Sequence, residues 1–108
     1  MKGANIGELE ELVLLVVGIL HKSAYGVAVM DEIGKQTGRN MNISAVHTVL
    51  TRLEEKGLLQ SEKGDATNKR GGRRKRLFTL TAAGRSALAN ANELRNQLFK
   101  LVVPLTAR

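Results

Sequence analysis

The sequence of residues 57–82 is GLLQSEKGDATNKRGGRRKRLFTLTA, which places two short apolar runs on either side of a basic, glycine-containing loop. The first run, at 58–62, has the length and composition of a short strand. The second run, at 75–80, is typical of a returning strand, with Phe78 and Leu80 on one face. The stretch therefore predicts a β-hairpin with a long loop, and we call this hairpin (58–80) the wing.

The positive charge of the chain is concentrated in the loop of the wing. The formal net charge of the protein is +7, and residues 63–76 contain seven basic residues and one acidic residue, a net +6. A concentrated basic segment indicates a polyanionic partner, either nucleic acid or an acidic membrane surface, although a merely solvated hairpin tip would have the same composition. We expect the wing to contact DNA phosphates, with these residues as candidates: Lys69, Arg70, Gly71, Gly72, Arg73, Arg74, Lys75 and Arg76.

Two helices are predicted near the start of the chain. The first, Glu8–His21, has an acidic first turn that suits the positive end of the helix dipole. It is apolar nearly all round, which predicts a central position in the fold. The second, Ala24–Thr37, follows Ser23 as a candidate N-cap and precedes Gly38 as a candidate left-handed C-terminal residue.

A third helix is predicted at Ile43–Lys56, with Asn42 as its N-cap and Gly57 at its end. One side of this helix is apolar at a spacing of about 100° per residue. The other side is small and polar, which suits a helix that enters the major groove of DNA but also suits a plain solvated face. The candidate DNA-contacting residues are Ser44, Ala45, His47, Thr48, Thr51 and Arg52. Three helices followed by a hairpin with a long loop is the winged helix-turn-helix order, a mostly α fold.

The last helix is predicted at Ala82–Val103, with Thr81 as its N-cap. Its small and apolar residues alternate at spacings of three and four, as in a coiled-coil seam. Such a seam packs either on its own domain or on a second subunit, and we expect a homodimer because a small winged domain has little free apolar surface. The candidate interface residues are Ala87, Ala91, Leu94, Leu98, Leu101 and Leu105.

Several classes of protein and of site are disfavoured by the sequence. The chain has no Cys, and its two His residues are far apart, so we expect no disulfide, metal or cofactor. No nucleotide-binding or nucleophile motif is present, so we expect no enzyme activity. The apolar run at 12–20 is too short to span a membrane and follows acidic rather than basic residues. We therefore expect a cytoplasmic protein.

Three motifs together resemble the PadR-like family of transcriptional regulators, over about residues 6 to 90. They are Tyr25-Gly26, the run RLEEKGLL at 52–59, and GGRRKRLFTLTAAG at 71–84. The resemblance implies a bacterial winged-helix protein with a C-terminal dimerisation helix, and the single short last helix resembles the smaller members. It also implies DNA binding, usually as a repressor at a near-palindromic operator.

The sequence departs from the family pattern at functionally relevant positions. The family commonly has Tyr where this chain has His47 and Leu77. Some members release DNA on binding phenolic acids or hydrophobic drugs. Sensors of drugs in the family use aromatic residues on the last helix, where this chain has only Phe99. The resemblance thus leaves open a small-molecule effector, but we assign it no site.

Residues 1–80 are accordingly predicted to form a winged helix-turn-helix DNA-binding domain, and residues 81–108 a dimerisation helix. The alternative function is a winged-helix module that binds protein or RNA without recognising an operator. A membrane-surface binder is a further alternative, but such proteins place apolar residues beside their basic residues. The wing loop has none before Leu77 apart from Ala66.

Overall fold

The computed structural model describes residues 6–64 and 75–104 of the chain. Within these ranges there are four α-helices and one two-stranded antiparallel sheet. The elements are α1 (Glu8–Leu20), α2 (Gly26–Thr37), α3 (Ile43–Glu55), β1 (Leu59–Lys63), β2 (Arg76–Leu80) and α4 (Ala82–Leu101), with a 3-10 turn at His21–Ser23. This order confirms the predicted fold class, three helices and a hairpin followed by a C-terminal helix. None of these helices is both long enough and apolar enough to cross a membrane.

The ends of most helices follow from local sequence. The side chain of Asn42 accepts a hydrogen bond from the Ala45 N–H at 2.8 Å, which caps α3 as predicted. Thr81 caps α4 in the same way, since its hydroxyl oxygen accepts from the Gly84 N–H at 3.0 Å. Gly38 ends α2 with a φ of 77°, the left-handed conformation that glycine adopts without steric cost.

The predicted start of α2 is wrong, and the reason is tertiary. Ser23 belongs to the 3-10 turn, and the N-cap of α2 is Tyr25. The Phe78 N–H donates to the Ala24 carbonyl at 3.0 Å, and Tyr25 forms an isolated antiparallel bridge with Leu77. Because this segment pairs with β2 in an extended conformation, α2 begins only at Gly26.

The core lies where α1, α2 and α3 meet the inner face of the hairpin. α1 supplies four buried apolar side chains to this core. The buried core residues that can be described are Val13, Leu14, Val16, Val17, Ala24, Val29, Ile33, Val46, Val49, Leu50, Leu53, Leu58, Leu59, Phe78 and Ala87. The prediction that α1 is central is correct for one side only. Leu15 and Ile19 are 45% and 58% exposed, so α1 presents an apolar strip to solvent.

An ion pair joins the start of α1 to the end of α3. The Glu10 carboxylate accepts from Lys56 Nζ at 2.9 and 3.0 Å, and from the Gly7 N–H at 3.0 Å. Glu10 is only 8% exposed, and burial by itself raises the pKa of its carboxyl. The hydrogen bonds from Lys56 and Gly7, with the nearby charges of Lys56 and Arg52, outweigh burial and leave the pKa of Glu10 below its ordinary value.

The first turns of α4 pack tightly on the rest of the domain. Gly84 is buried against the backbone carbonyl of Leu58, which leaves no room for a side chain. The Thr81 N–H donates to that same carbonyl at 3.2 Å, and the Thr81 hydroxyl donates to the Gly57 carbonyl at 2.7 Å. Further along the helix, Arg95 Nη2 lies 2.6 Å from a carboxylate oxygen of Glu11 on α1. The direction of α4 is therefore fixed by contacts with both the hairpin and α1.

Candidate nucleic-acid interface

The outward face of α3 is polar and fully accessible. The apolar residues of this helix at 46, 49, 50 and 53 are buried, and this burial orients the helix on the core. The opposite side chains are exposed, namely Ser44, His47, Thr48, Thr51 and Arg52. All five were predicted as DNA contacts, and the fold places them on one accessible surface, which we call the outer face of α3.

Local hydrogen bonds limit what two positions on this helix can offer. The Thr48 hydroxyl donates to the Ser44 carbonyl at 3.0 Å, so its oxygen is left as an acceptor. Ala45, also a predicted contact, is half-buried and its N–H is used by the Asn42 cap. Ala45 can therefore offer only its methyl group, which suits an apolar contact such as a thymine methyl.

Glu55 also belongs to this surface, although it is not among the predicted DNA contacts. Together with the exposed residues at 47, 48, 51 and 52, it lines a shallow concavity of about 380 Å³ along the outer face of α3. A carboxylate on a DNA-facing helix repels phosphates but accepts a hydrogen bond from the amino group of cytosine. The geometry thus adds the acidic Glu55 to the candidate DNA contacts of α3, which are otherwise neutral or basic.

The base of the wing is held in place by side chains from α2 and α3. Of the predicted wing contacts, Lys69, Arg70, Gly71, Gly72, Arg73 and Arg74 lie outside the described residues, whereas Lys75 and Arg76 are both exposed. The Lys75 ammonium lies 5.4 Å from the centre of the Tyr25 ring, a cation–π contact. Tyr25 thus joins the N-terminal end of α2 to the basic strand of the wing.

A second connection runs from the wing to α3. Arg76 Nη1 donates to the Ser61 hydroxyl at 2.8 Å, and that hydroxyl donates to the Glu54 carboxylate at 2.8 Å. Glu54, which is not among the predicted site residues, is half-buried and bonded to Ser61. The link was not predictable from spacing, because it depends on how β1 returns past the end of α3.

The outer face of α3 and the base of the wing border one groove. The groove has a volume of about 960 Å³, and the residues around it are Tyr25, Gly26, Val27, Ala28, Asp31, His47, Thr51, Glu54, Lys75, Arg76 and Phe78. His47 and Thr51 come from α3, and Lys75 and Arg76 come from the wing. Lys75 and Arg76, the predicted wing contacts that the structure describes, thus lie on the same side of the molecule as His47 and Thr51.

The predicted dimer-interface residues on α4 divide into two groups. Ala87 is 7% exposed and belongs to the core of its own chain, so its assignment to a subunit interface is corrected. It is buried because the first turns of α4 pack on the hairpin. Ala91 is half-buried, whereas Leu94, Leu98 and Leu101 are 54%, 54% and 77% exposed. Leu105 lies outside the described residues.

The described ranges, 6–64 and 75–104, contain no group of three or more His, Asp or Glu side chains that could hold a metal ion. The Glu10 carboxyl, whose pKa is lowered, serves the α1–α3 ion pair. The described side chains of the candidate surface supply hydroxyl, imidazole, guanidinium, ammonium and carboxylate groups, all of which can take part in hydrogen bonds.

Comparison with known proteins agrees with this geometry. The family model described as the transcriptional regulator PadR-like family matches residues 13–90. The chain belongs to this family. PadR-like proteins are transcriptional regulators rather than enzymes, and membership implies regulation through binding to DNA.

Solved structures show the same fold. A PadR-like transcription factor from Bacteroides fragilis is 26% identical, with a TM-score of 0.65 over 87% of this chain and 89% of that one. A PadR family regulator from Clostridium difficile is 18% identical, with a TM-score of 0.69 over 88% and 94% of the two chains. A transcriptional regulator from Thermoplasma acidophilum has 18% identity and a TM-score of 0.63 over 88% and 92%. No curated protein sequence matched the PadR-like chain.

Proposed function

We propose that this PadR-like protein is a repressor that binds a near-palindromic site in double-stranded DNA as a homodimer. The observation on which the proposal rests is the groove at which the outer face of α3 meets the basic base of the wing. A helix with an exposed polar face beside a basic hairpin fits the major groove together with the adjoining phosphates.

In the proposed complex, α3 contacts base edges and the wing contacts phosphates. The base-contacting set is Ser44, Ala45, His47, Thr48, Thr51 and Arg52. Phosphate contact by Lys75 and Arg76 is supported by their exposure beside the groove. Phosphate contact by Lys69, Arg70, Arg73 and Arg74, with Gly71 and Gly72 allowing close approach, is supported by the charge of the sequence.

The proposed dimer is supported by the exposure of the second half of α4. Every residue from Asn92 to Leu101 is exposed, and this segment includes Leu94 and Leu98. A helical segment of this length that makes few contacts is marginally stable in water. Exposed leucines at a spacing of four favour packing against a second apolar helix. A second copy of the chain supplies such a helix.

The apolar strip of α1 extends this proposed interface. Leu15 and Ile19 follow Glu11 at one and two helical turns along the same face of α1. Because the Glu11 carboxylate holds Arg95 of α4, this face runs beside α4. We therefore add Leu15 and Ile19, both exposed, to the surface that the second subunit covers.

The division of the chain into a DNA-binding domain (1–80) and a dimerisation helix (81–108) is kept as a functional proposal. It is not a division of the core, because Gly84 and Ala87 pack with the winged domain. A dimer of this kind would present two α3 helices about 34 Å apart, one turn of the duplex. Repression follows if the bound dimer blocks access to a promoter. A small effector remains without an assigned site, and Phe99, the aromatic residue of α4, is 75% exposed.

The proposal is tested by measuring binding of the purified protein to labelled duplex DNA, RNA and heparin over a range of salt concentrations. We expect duplex DNA to be preferred and to bind with a steep salt dependence. Sequencing of the genomic fragments that the protein retains should then give a near-palindromic site. A preference for RNA, or no more binding to duplex DNA at low salt than to an uncharged control polymer, would overturn the proposal.

A matched pair of variants tests the proposed surface. Arg52→Gln removes a charge from the outer face of α3, whereas Lys100→Gln removes the same charge from the exposed end of α4. We expect Arg52→Gln to reduce the log–log salt slope by about 0.9 or to relax base preference at one position. Lys100→Gln should change neither. Equal effects of the two substitutions would mean that only the total charge matters.

A further inference from the structure

Gly26, the first residue of α2, is in unusually close contact with His47 on α3. Gly26 is buried, and a Cβ atom built on its backbone would lie 2.7 Å from Cε1 and 2.9 Å from Nε2 of the imidazole. Real Cβ atoms essentially never come within 3.0 Å of another heavy atom. The ring of His47 therefore occupies the space that any other residue at position 26 would fill.

What distinguishes glycine at this position is the space that it leaves for the His47 ring, not its backbone conformation. Among the described glycines, Gly38 and Gly57 have positive φ values and Gly26 does not. As the first residue of a helix, position 26 is one at which alanine is conformationally acceptable. Replacing Gly26 by alanine should therefore displace the His47 ring and leave the backbone of α2 intact.

His47 is the imidazole on the outer face of α3, and its usefulness to DNA recognition depends on its orientation. The ring has one donor and one acceptor nitrogen when neutral, so it can hydrogen-bond a base edge only from particular directions. A methyl group at position 26 would require Cε1 and Nε2 of the ring to move by at least several tenths of an ångström, through rotation of the His47 side chain. Such a rotation changes the directions in which the two ring nitrogens point, and hydrogen bonds weaken steeply when their geometry is poor.

We infer that Gly26 sets the orientation of the His47 side chain and thereby determines the base preference of α3, so that α2 contains a specificity-determining position. This inference rests on the proposed function, in which the outer face of α3 contacts bases. The role of Gly26 is indirect, because a glycine has no side chain that could contact DNA. Its small size allows the imidazole of His47 to lie against the start of α2.

The test compares Gly26→Ala, His47→Ala and the double variant by selection of binding sites from a random duplex library. We expect both single variants to lose the same base preference at the same operator position, by roughly tenfold. The double variant should match His47→Ala alone, because Gly26 acts through the ring. For Gly26→Ala, affinity for unrelated duplex DNA should stay within about twofold, since this substitution removes no group that contacts phosphates.

Gly34→Ala is the matched control, because it is the same substitution in the same helix. A Cβ at position 34 would lie 3.6 Å from the Arg39 carbonyl oxygen, an ordinary contact distance, so base preference should be unchanged. The inference is overturned if folded Gly26→Ala keeps the wild-type preference, or if His47→Ala does. If the wild-type protein selects no sequence from the library, the proposed function itself fails.

A measurement on the wild-type protein does not depend on whether Gly26→Ala folds. The inference requires proton NMR cross-relaxation between His47 Hε1 and the Gly26 Hα atoms in the free protein. A ring without this contact that averages over several rotamers would overturn the inference.

Discussion

The substitution Gly84→Ala should be strongly destabilising, although it adds one methyl group to a helix. Gly84 lies in the first turn of α4, where a Cβ would overlap the Leu58 carbonyl oxygen and lie 3.1 Å from the carbonyl carbon. That carbonyl cannot rotate away without losing the hydrogen bond from the Thr81 N–H at 3.2 Å. Relief of the overlap therefore requires α4 to move away from the hairpin.

The expected loss in the free energy of unfolding follows from the contacts that such a movement of α4 disturbs. Inserting a methyl group into a packed site costs about 1–3 kcal/mol. Weakening the Thr81 hydrogen bonds to the Leu58 and Gly57 carbonyls adds roughly 1 kcal/mol. The higher helix propensity of alanine offsets about 0.5–1 kcal/mol. We therefore expect a loss of about 2–3 kcal/mol in the free energy of unfolding, or roughly 10–20 °C in Tm.

The assay is thermal and urea denaturation followed by circular dichroism. All variants are measured at one protein concentration, because the proposed dimer would dissociate as it unfolds. Gly34→Ala is the control, since its new methyl group meets only an ordinary contact at 3.6 Å. We expect this control to stabilise the protein by about 0.5–1 kcal/mol. If Gly84→Ala is as stable as Gly34→Ala, then α4 does not pack closely on the Leu58 carbonyl and the prediction is refuted.

Three further predictions concern assembly, DNA binding and acid stability. Leu98→Asp should leave a monomer in sedimentation, because it places a charge in the α4 interface of the proposed dimer. Gln97→Asp on the adjacent exposed position should not affect assembly, and dimers of Leu98→Asp would refute the interface. Replacing Arg73 and Arg74 by Gln should weaken binding to all duplexes and reduce the log–log salt slope by up to about 2. An unchanged slope would remove these residues from the DNA contact. Glu10→Gln should lower the free energy of unfolding by about 1–2 kcal/mol at neutral pH. Because the pKa of Glu10 is lowered in the folded state, the ionised carboxylate stabilises the fold above the ordinary carboxyl range, and this stabilisation is lost as the pH falls through the lowered pKa. The free energies of unfolding of the two proteins, measured by urea denaturation, should therefore become equal in acid. A difference that persists at low pH would contradict this.

The sequence was sufficient for features that depend on neighbouring residues. Asn42 and Thr81 cap helices because their side chains reach N–H groups three residues ahead in the same chain segment. Gly38 ends α2 because the left-handed conformation is a property of one residue. The order of elements, and so the fold class, follows from the periodicity of apolar residues in the same way.

The sequence could not separate the two halves of the α4 seam. A spacing of three and four residues shows that one side of the helix is apolar, but not which surface covers it. Ala87 is covered by its own chain, whereas Leu94 and Leu98 remain exposed, because α4 leaves the hairpin between these positions. For the same reason the exposed strip at Leu15 and Ile19 was concealed within a helix that looks apolar all round.

Fold class, the caps of α3 and α4 and the concentration of charge in the wing were thus determined by the sequence itself, because each depends on local geometry or on composition. The tertiary structure decided which groups meet across long separations. It delayed the start of α2 by pairing Tyr25 with Leu77, buried Glu10 against Lys56, and set Gly26 against the ring of His47. These contacts depend on packing between distant segments, and no periodicity in the chain encodes them.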